Sequence, residues 1–384
     1  MESYNATVTE EIDRTATRNG LKESIDYCKS LKEGDYSNKD TFAKLADAIT
    51  TAEKAYTNVS DTRLNYKAAR DTLEKVRVAL TKNVSTESSN PKTFRILDKK
   101  TVIKEMGAGI NLGNTMDGGL YDSSETGWQA YKTTKDYIKA LHDAGYNTVR
   151  IPVTWGSHIN DDYTIDEAWI NRVQEIVDYC VDQDMYAIVN IHHDGAANHD
   201  DRGNNTPACW LDTYSQNIEK VYQKYEGVWN TIANRFKDYD EHVIFESMNE
   251  VTDAHGTATN EDDAVLNALN QLFINTVRAT GSNNTKRWLA ITGRFATTAA
   301  ITTMPEDTLA DSGDLGTTRL MFAVHIYKSN NNVRWSYDDL KQWQSSMSSS
   351  YKNVGNLDSN MPIYVGEYGV RTKAQNGSAT AVSY

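Results

Sequence analysis

Three cysteines, Cys28, Cys180 and Cys209, are too few and too scattered for a disulfide framework, and none falls in the CxxC spacing of a zinc site. No stretch approaches the ~18 apolar residues of a membrane span, and no charged-then-apolar signal peptide opens the chain. There is no GxSxG elbow and no phosphate loop. The run Gly107-Ala108-Gly109-Ile110-Asn111-Leu112-Gly113 fails as a dinucleotide fingerprint, because its third glycine falls one residue late, with Leu112 in its place. Positive charge is also short. Lysine and arginine number 40 against 53 acidic residues, a net charge of −13. That balance repels nucleic acid and anionic membrane, and it suits neutral ligands such as sugars better than polyphosphates.

The scarcities are unevenly spread. All eight tryptophans and all five prolines lie at or after Pro91. Residues 1–90 hold 14 basic against 15 acidic side chains, and residues 91–384 hold 26 against 38, so the acidity belongs to the second part. One barrel domain occupies about 250 residues, so a chain of 384 has room for a barrel and an extra module. We expect a helical module over 1–84, a linker over 85–95 and the larger domain over 96–384. Apolar stripes at helical spacing predict three helices in the module: Leu21, Ile25, Cys28; then Phe42, Leu45, Ile49, Ala52, Tyr56; then Ala69, Leu73, Val76, Leu80, with Ser60 as N-cap of the last. With Tyr56-Thr57-Asn58-Val59-Ser60 and Leu64, this segment resembles the small FIVAR-type modules of bacterial extracellular proteins, which implies a spacer or a contact to glycan or cell wall. The following 83–91 run is polar and turn-prone.

After it, short β-rich runs alternate with amphipathic helices. The runs are 107–113, 148–153, 187–192, 243–250, 288–292, 322–327 and 363–367; Ile138 with Leu141, and Trp169, Val173, Ile176, Val177 with Cys180, mark helices between them. Side chains alternate faces along a strand. Val149 and Ile151 oppose Arg150; Val189 and Ile191 oppose Asn190 and His192; Phe322, Val324 and Ile326 oppose Ala323, His325 and Tyr327. The same parity groups Glu250 with Ile244, Glu246 and Met248, and Glu367 with Ile363 and Val365. Polar groups thus collect at the ends of apolar strands, where burial without purpose costs several kcal/mol. An ion-pair network, Arg150 with Glu246 for example, is the structural explanation; a catalytic mouth is the functional one.

Six ordered motifs carry a resemblance. Gly109-Ile110-Asn111-Leu112-Gly113-Asn114, Arg150-Ile151-Pro152-Val153-Thr154-Trp155, Asn190-Ile191-His192-His193-Asp194, Phe245-Glu246-Ser247-Met248-Asn249-Glu250, His325-Ile326-Tyr327 and Val365-Gly366-Glu367-Tyr368-Gly369 together resemble glycoside hydrolase family 5, the cellulase family, in its endoglucanase and xyloglucanase branch. The resemblance implies a (β/α)8 TIM barrel. It implies retaining, endo-acting cleavage of a β-1,4-glucan-type polysaccharide, namely cellulose, xyloglucan or mixed-linkage glucan, with mannan and xylan as alternatives on the same frame. Glu250 takes the acid/base position and Glu367 the nucleophile position. Asn249 is implied to bond the sugar 2-hydroxyl, Arg150 to keep Glu367 ionised and Tyr327 to orient it. His192 and His325 are implied to line the cleavage subsite, with Asn111 and His193 also among the substrate-binding residues. Such an enzyme is expected to be a secreted monomer that meets no nucleic acid or membrane and needs no cofactor or metal.

Pyranose faces are apolar and stack on indole, so Trp155 is the first candidate platform, with Trp128, Trp210 and Trp335 behind it; Trp169 and Trp229 read as packing. The insertion 195–210 is expected to border the cleft and to choose between linear and branched chains. His192, His193 and Asp194, with His199 and Asp200, could be read as a metal site, but adjacent histidines on a strand point to opposite faces, which works against joint ligation. A structural calcium in 198–205 has no loop pattern behind it. Only seven strands can be counted before Tyr384. An eighth, ending in the family's subsite tryptophan, is expected to be missing, and the chain as written to be unstable or poorly active. A non-catalytic glycan-binding barrel is therefore the alternative to an enzyme.

Overall fold

The computed structural model describes residues 2–86, 90–118, 124–195, 209–215, 217–252, 260–297, 305–311, 318–328, 341, 345, 361–373 and 379–383. Helices α1 (Glu2–Ser30), α2 (Lys39–Thr57) and α3 (Arg63–Val78) form the amino-terminal bundle. Their stripes close a core of Leu21, Ile25, Cys28, Leu45, Ala48, Ala52, Tyr66, Leu73 and Leu80. The N-cap of α3 is Thr62, whose side chain accepts the Asn65 N–H, two residues beyond the Ser60 the sequence suggested. Leu64, outside the stripe, is exposed.

Seven parallel strands follow, each paired to the next: β1 (Gly109–Asn111), β2 (Thr148–Ile151), β3 (Tyr186–Asn190), β4 (Val243–Glu246), β5 (Leu289–Ile291), β6 (Leu320–Lys328) and β7 (Ile363–Lys373). Helices α5 (Lys135–Asp143), α6 (Glu167–Val181), α7 (Ile218–Phe236) and α8 (Asn260–Ala279) lie between the first five. Alternation sorts two cores. Val149, Ile151, Val189, Phe322 and Val324 pack outward against the helices. Tyr186, Ile188, Ile244, Ala290, Met321, Ala323 and Tyr364 fill the interior. Val102 and Met106 of α4 (Lys99–Met106) close its lower end, where Thr148 Oγ1 donates to the Met106 carbonyl at 2.6 Å. Inward polar side chains are therefore carried to the opposite, carboxyl-terminal end, where barrel chemistry is built.

The parallel barrel sheet holds seven strands among the described residues, as the sequence count implied. An eighth strand, β8 (Ala379–Ser383), pairs antiparallel with 369–373 of β7. It extends the part of β7 beyond Glu367 and is a hairpin arm rather than an eighth βα unit. Where β1 and β7 approach, the described residues show a side-chain tie: Asn111 Nδ2 donates to the Gly366 carbonyl at 2.8 Å.

The bundle sits on α7 and α8. Val78 of α3 joins the outer core of the barrel, and Asn275 Nδ2 of α8 donates to the carbonyls of Val78 and Leu80 at 3.0 and 3.2 Å, satisfying the end of α3. The chain then crosses Gly281, where a Cβ would meet the Ser85 carbonyl at 2.6 Å, and Ser85 N donates to the Ala279 carbonyl. At the centre of the junction Arg77 is buried between Glu219 at 3.3 Å and Glu226 at 2.9 Å, and Lys82 reaches Glu226 from the rim. Glu74 is buried beside Glu219, and both carboxyl groups draw on the guanidinium of Arg77. Burial raises the Glu219 pKa well above the carboxylate range; Arg77 opposes the rise and Glu74 adds to it.

A carboxyl whose folded pKa is raised contributes stability that is fully present below its unfolded pKa and lost as pH rises through the folded value. Thermal stability is therefore expected to fall between pH 5 and pH 8. Glu74→Gln, which removes the excess charge, should flatten that slope and raise Tm at pH 8 by about 2 °C or more. Scanning fluorimetry at the two pH values checks this; an unchanged slope would refute it.

Candidate active site

Arg150 is the centre of the carboxyl-terminal mouth. It points inward from β2, is 3% exposed, and uses all five of its N–H groups. Nε and Nη2 fork onto Glu246 at 2.9 and 2.7 Å, Nη2 also donates to Asn249 Oδ1 at 2.8 Å, and Nη1 donates to Glu367 Oε1 at 2.9 Å and Asn111 Oδ1 at 3.1 Å. The Arg150–Glu246 ion pair anticipated from sequence is present, and the same guanidinium reaches Glu367. Glu246 is further satisfied by Asn190 Nδ2 and by the Tyr364 hydroxyl. With its Oδ1 held by Arg150, the Asn249 amide can turn its Nδ2 donors toward a ligand. Asn111, by contrast, gives both ends of its amide to Arg150 and Gly366.

Glu367 accepts from Arg150 and, at 2.6 Å, from the Tyr327 hydroxyl. Burial alone would raise its pKa; His325, Arg150 and the Tyr327 hydrogen bond overcome this and hold it below the ordinary carboxylate value. His325 Nδ1 lies 2.7 Å from Glu250 Oε1 and 3.6 Å from Glu367 Oε2. An oxygen of Glu250, one of Glu367 and a ring nitrogen of His325 all lie within 4.8 Å of one another. Glu250 has 38% of its side chain exposed and Glu367 18%, so a group arriving from solvent meets Glu250 more readily.

Strand parity does not deliver these carboxylates in the way the sequence implied. Ile363 packs outward and Tyr364 inward, so an unbroken β7 would turn Glu367 outward with Val365. The ladder instead slips between Val324 and His325, pairing Val324 with Val365 and His325 with Glu367. This bulge leaves Gly366 unpaired and re-aims Glu367 inward. A Cβ at Gly366 would approach His325 Nε2 to 3.2 Å, so any larger residue there would have to push the imidazole aside. β4 likewise ends at Glu246. Met248, grouped inward by parity, packs in the outer core, and Glu250 reaches the mouth from irregular backbone. Tyr225 and Trp229 of α7 anchor that segment by donating to the Ser247 carbonyl.

β3 ends at Asn190, so His192 and His193 are not on opposite faces: their rings lie 4.3 Å apart, and each approaches Asp117, at 3.9 and 3.8 Å. Strand geometry therefore does not keep the two rings from a shared ion; the tautomer of His192 does. Asn190 Oδ1 accepts the Val153 N–H, which orients its Nδ2 to donate to His192 Nδ1 at 3.2 Å. His192 then carries its proton on Nε2, the atom facing Asp117 and Glu367, and that nitrogen has no lone pair for an ion. Burial holds the His192 pKa well below its ordinary value, so the ring is a neutral N–H donor.

Trp155, chosen from sequence as the first sugar platform, is fully buried, with Nε1 bonded to the Asn190 carbonyl, and offers no open face. Trp128 is 43% exposed and meets the His193 ring edge-on, which makes it the open indole beside the histidines. Trp210 is half-buried and donates to Asp194. Trp169 and Trp229 are core residues. Trp335, residues 196–208 of the insertion, and with them His199, Asp200 and the 198–205 segment, lie outside the described residues. Sequence reading gave no role to Asp117 or to Phe295, an exposed ring just after β5 held in left-handed backbone (φ 53°). For Phe295 the only signal was an aromatic residue at a strand end.

The family model described as cellulase (glycosyl hydrolase family 5) matches residues 92–384. Endoglucanase A of Ruminococcus albus is 34% identical over 296 residues, 73% of this chain and 77% of that one. Among solved structures, the family 5 xyloglucanase from Paenibacillus pabuli, solved with ligand, aligns with a TM-score of 0.61 at 33% identity, covering 71% of this chain and 81% of its own. A GH5-4 broad specificity endoglucanase from Clostridium acetobutylicum aligns with a TM-score of 0.59 at 32% identity, covering 73% and 82%.

Proposed function

Since the chain belongs to glycosyl hydrolase family 5, the cellulase family, we propose that it cleaves β-1,4-glucan-type polysaccharides internally, with retention, using Glu250 as acid/base and Glu367 as nucleophile. The observation that carries this reading is the pair of carboxylates that face each other across the barrel mouth, with an oxygen of one within 4.8 Å of an oxygen of the other. Double displacement needs carboxyls about 5–5.5 Å apart, whereas an inverting pair would stand about 6.5–9.5 Å apart to admit water. Glu367, kept ionised by Arg150 and oriented by Tyr327, attacks the anomeric carbon. Glu250 gives its proton to the departing oxygen. A water then loses a proton to Glu250 and breaks the glycosyl–Glu367 ester, which restores both groups. Asn249 Nδ2 supplies the donor for the 2-hydroxyl, and His192 Nε2–H a donor beside Glu367.

Cellulose, xyloglucan or mixed-linkage glucan is the substrate class, supported by the endoglucanase and xyloglucanase relatives. Such polymers are met outside the cell, where we place the reaction. The test is product release from these glucans, mannan and xylan, with early product followed by NMR. Glucans should be cut, the β-anomer should appear first, and viscosity should fall ahead of reducing ends. An α-anomer would refute retention. Binding with no release from any glycan would make the chain a glycan-binding barrel.

A further inference from the structure

Asp194 has no part in the chemistry above, yet it is fully buried directly after His193. Its carboxylate accepts the Trp155 N–H at 3.2 and 3.1 Å and the Trp210 indole N–H at 2.7 Å, and its carbonyl accepts the Leu211 N–H at 2.8 Å. Gly195 and Leu211 are bridged beside it. One side chain thus ties the end of β2, the end of β3 and the segment entering α7. One cation, Lys224, lies over the Trp210 ring, 4.9 Å from its centroid. Burial pushes the Asp194 pKa up to about 7, against the Trp155 and Trp210 hydrogen bonds and Lys224, so the group is retained at a cost in solvation. A carboxylate is the side chain suited to the place. Two N–H donors converge on it, and an asparagine would turn an NH2 toward one of them.

The histidines are anchored to the same knot. His192 N donates to the Val153 carbonyl at 2.8 Å and His193 N to Thr154 Oγ1 at 3.3 Å, both on the segment Asp194 holds through Trp155. His192 Nε2 stands 4.0 Å from Glu367 Oε1, so a shift of this segment moves a donor at the reacting centre. We infer that Asp194 is a positioning residue that fixes the His192–His193–Trp210 wall of the cleft and thereby sets how tightly the glycan is held. The inference rests on the reading of the mouth as a glycan site.

The test uses the full chain, Asp194→Asn, Trp210→Phe and the double variant, with steady-state kinetics on soluble mixed-linkage glucan and Tm alongside. Asp194→Asn should raise KM about five- to tenfold with kcat within about threefold, and Trp210→Phe, which keeps an aromatic face and loses the donor, should raise KM about threefold. The combined loss in the double variant should fall short of the product of the two single effects, because both changes loosen the same tie around Asp194. Unmoved KM with a lowered Tm would overturn the inference, as would multiplied effects in the double variant. Trp210→Phe alone decides if Asp194→Asn does not fold. Wild-type chain without turnover on any glycan would instead refute the function; normal turnover with unmoved KM refutes only the role of Asp194.

Discussion

Glu367→Gln is expected to lower kcat on a soluble β-glucan by roughly 10⁴-fold or more, and Glu250→Gln by about 10²–10⁴-fold, with KM little changed or reduced. The two losses differ in kind. Without Glu367 no glycosyl ester forms, and a better leaving group cannot help. Without Glu250 the departing oxygen lacks its proton, so an aryl glycoside with an acidic phenol should still glycosylate Glu367. Its ester then waits for an unassisted water, so Glu250→Gln should show a burst of phenol and a covalent adduct by mass spectrometry. The pH profile carries a second expectation. Glu367 must be ionised, and its pKa is held below its ordinary value of 4.5, so activity should persist down through that value before it is lost. A Glu367→Gln enzyme with a tenth of the wild-type rate, or an adduct found on another residue, would remove the assignment.

The alternation of apolar residues made the barrel readable, because inward and outward faces differ in what they touch. Val149 with Ile151 and Val189 with Ile191 fall outward as the period requires, and Arg150 and Asn190 fall inward. The rule holds only while the ladder lasts. At Glu250 the strand has ended, before His192 and His193 it has stopped at Asn190, and at Glu367 one extra residue shifts the register. These are the positions where chemistry is placed, and backbone hydrogen bonds, not hydrophobic period, set their direction. Gly366 was the available clue, since a glycine inside a strand often marks a bulge. Trp155 failed for another reason. An indole just past a strand end can line a cleft or fill the space beneath it, and the hydrogen bond to Asn190 that decides the matter is tertiary. The docking of the bundle was hidden similarly. Arg77 and Glu74 look like the solvated face of a helix until α7 supplies Glu219 and Glu226.

Arg150→Met should reduce kcat/KM by about 10²–10³-fold and move the acid limb of the pH profile upward. The sign follows from what the guanidinium holds. Arg150 is among the groups that lower the Glu367 pKa against the upward push of burial, so without it Glu367 takes up its proton at higher pH. The same change leaves Glu246, 1% exposed, without its ion-pair partner, and breaking a buried pair in this way costs about 3–5 kcal/mol. Loss of activity in the single variant could therefore be loss of fold. Pairing Arg150→Met with Glu246→Gln separates the two: the neutral amide can still accept from Tyr364, and Tm should recover toward wild type. Catalysis should not recover, and the raised acid limb should remain, because Glu367 is still without its cation. If the double variant regained both stability and the wild-type pH profile, Arg150 would serve only to neutralise Glu246, and the ionisation of Glu367 would have to rest on His325 and Tyr327 alone.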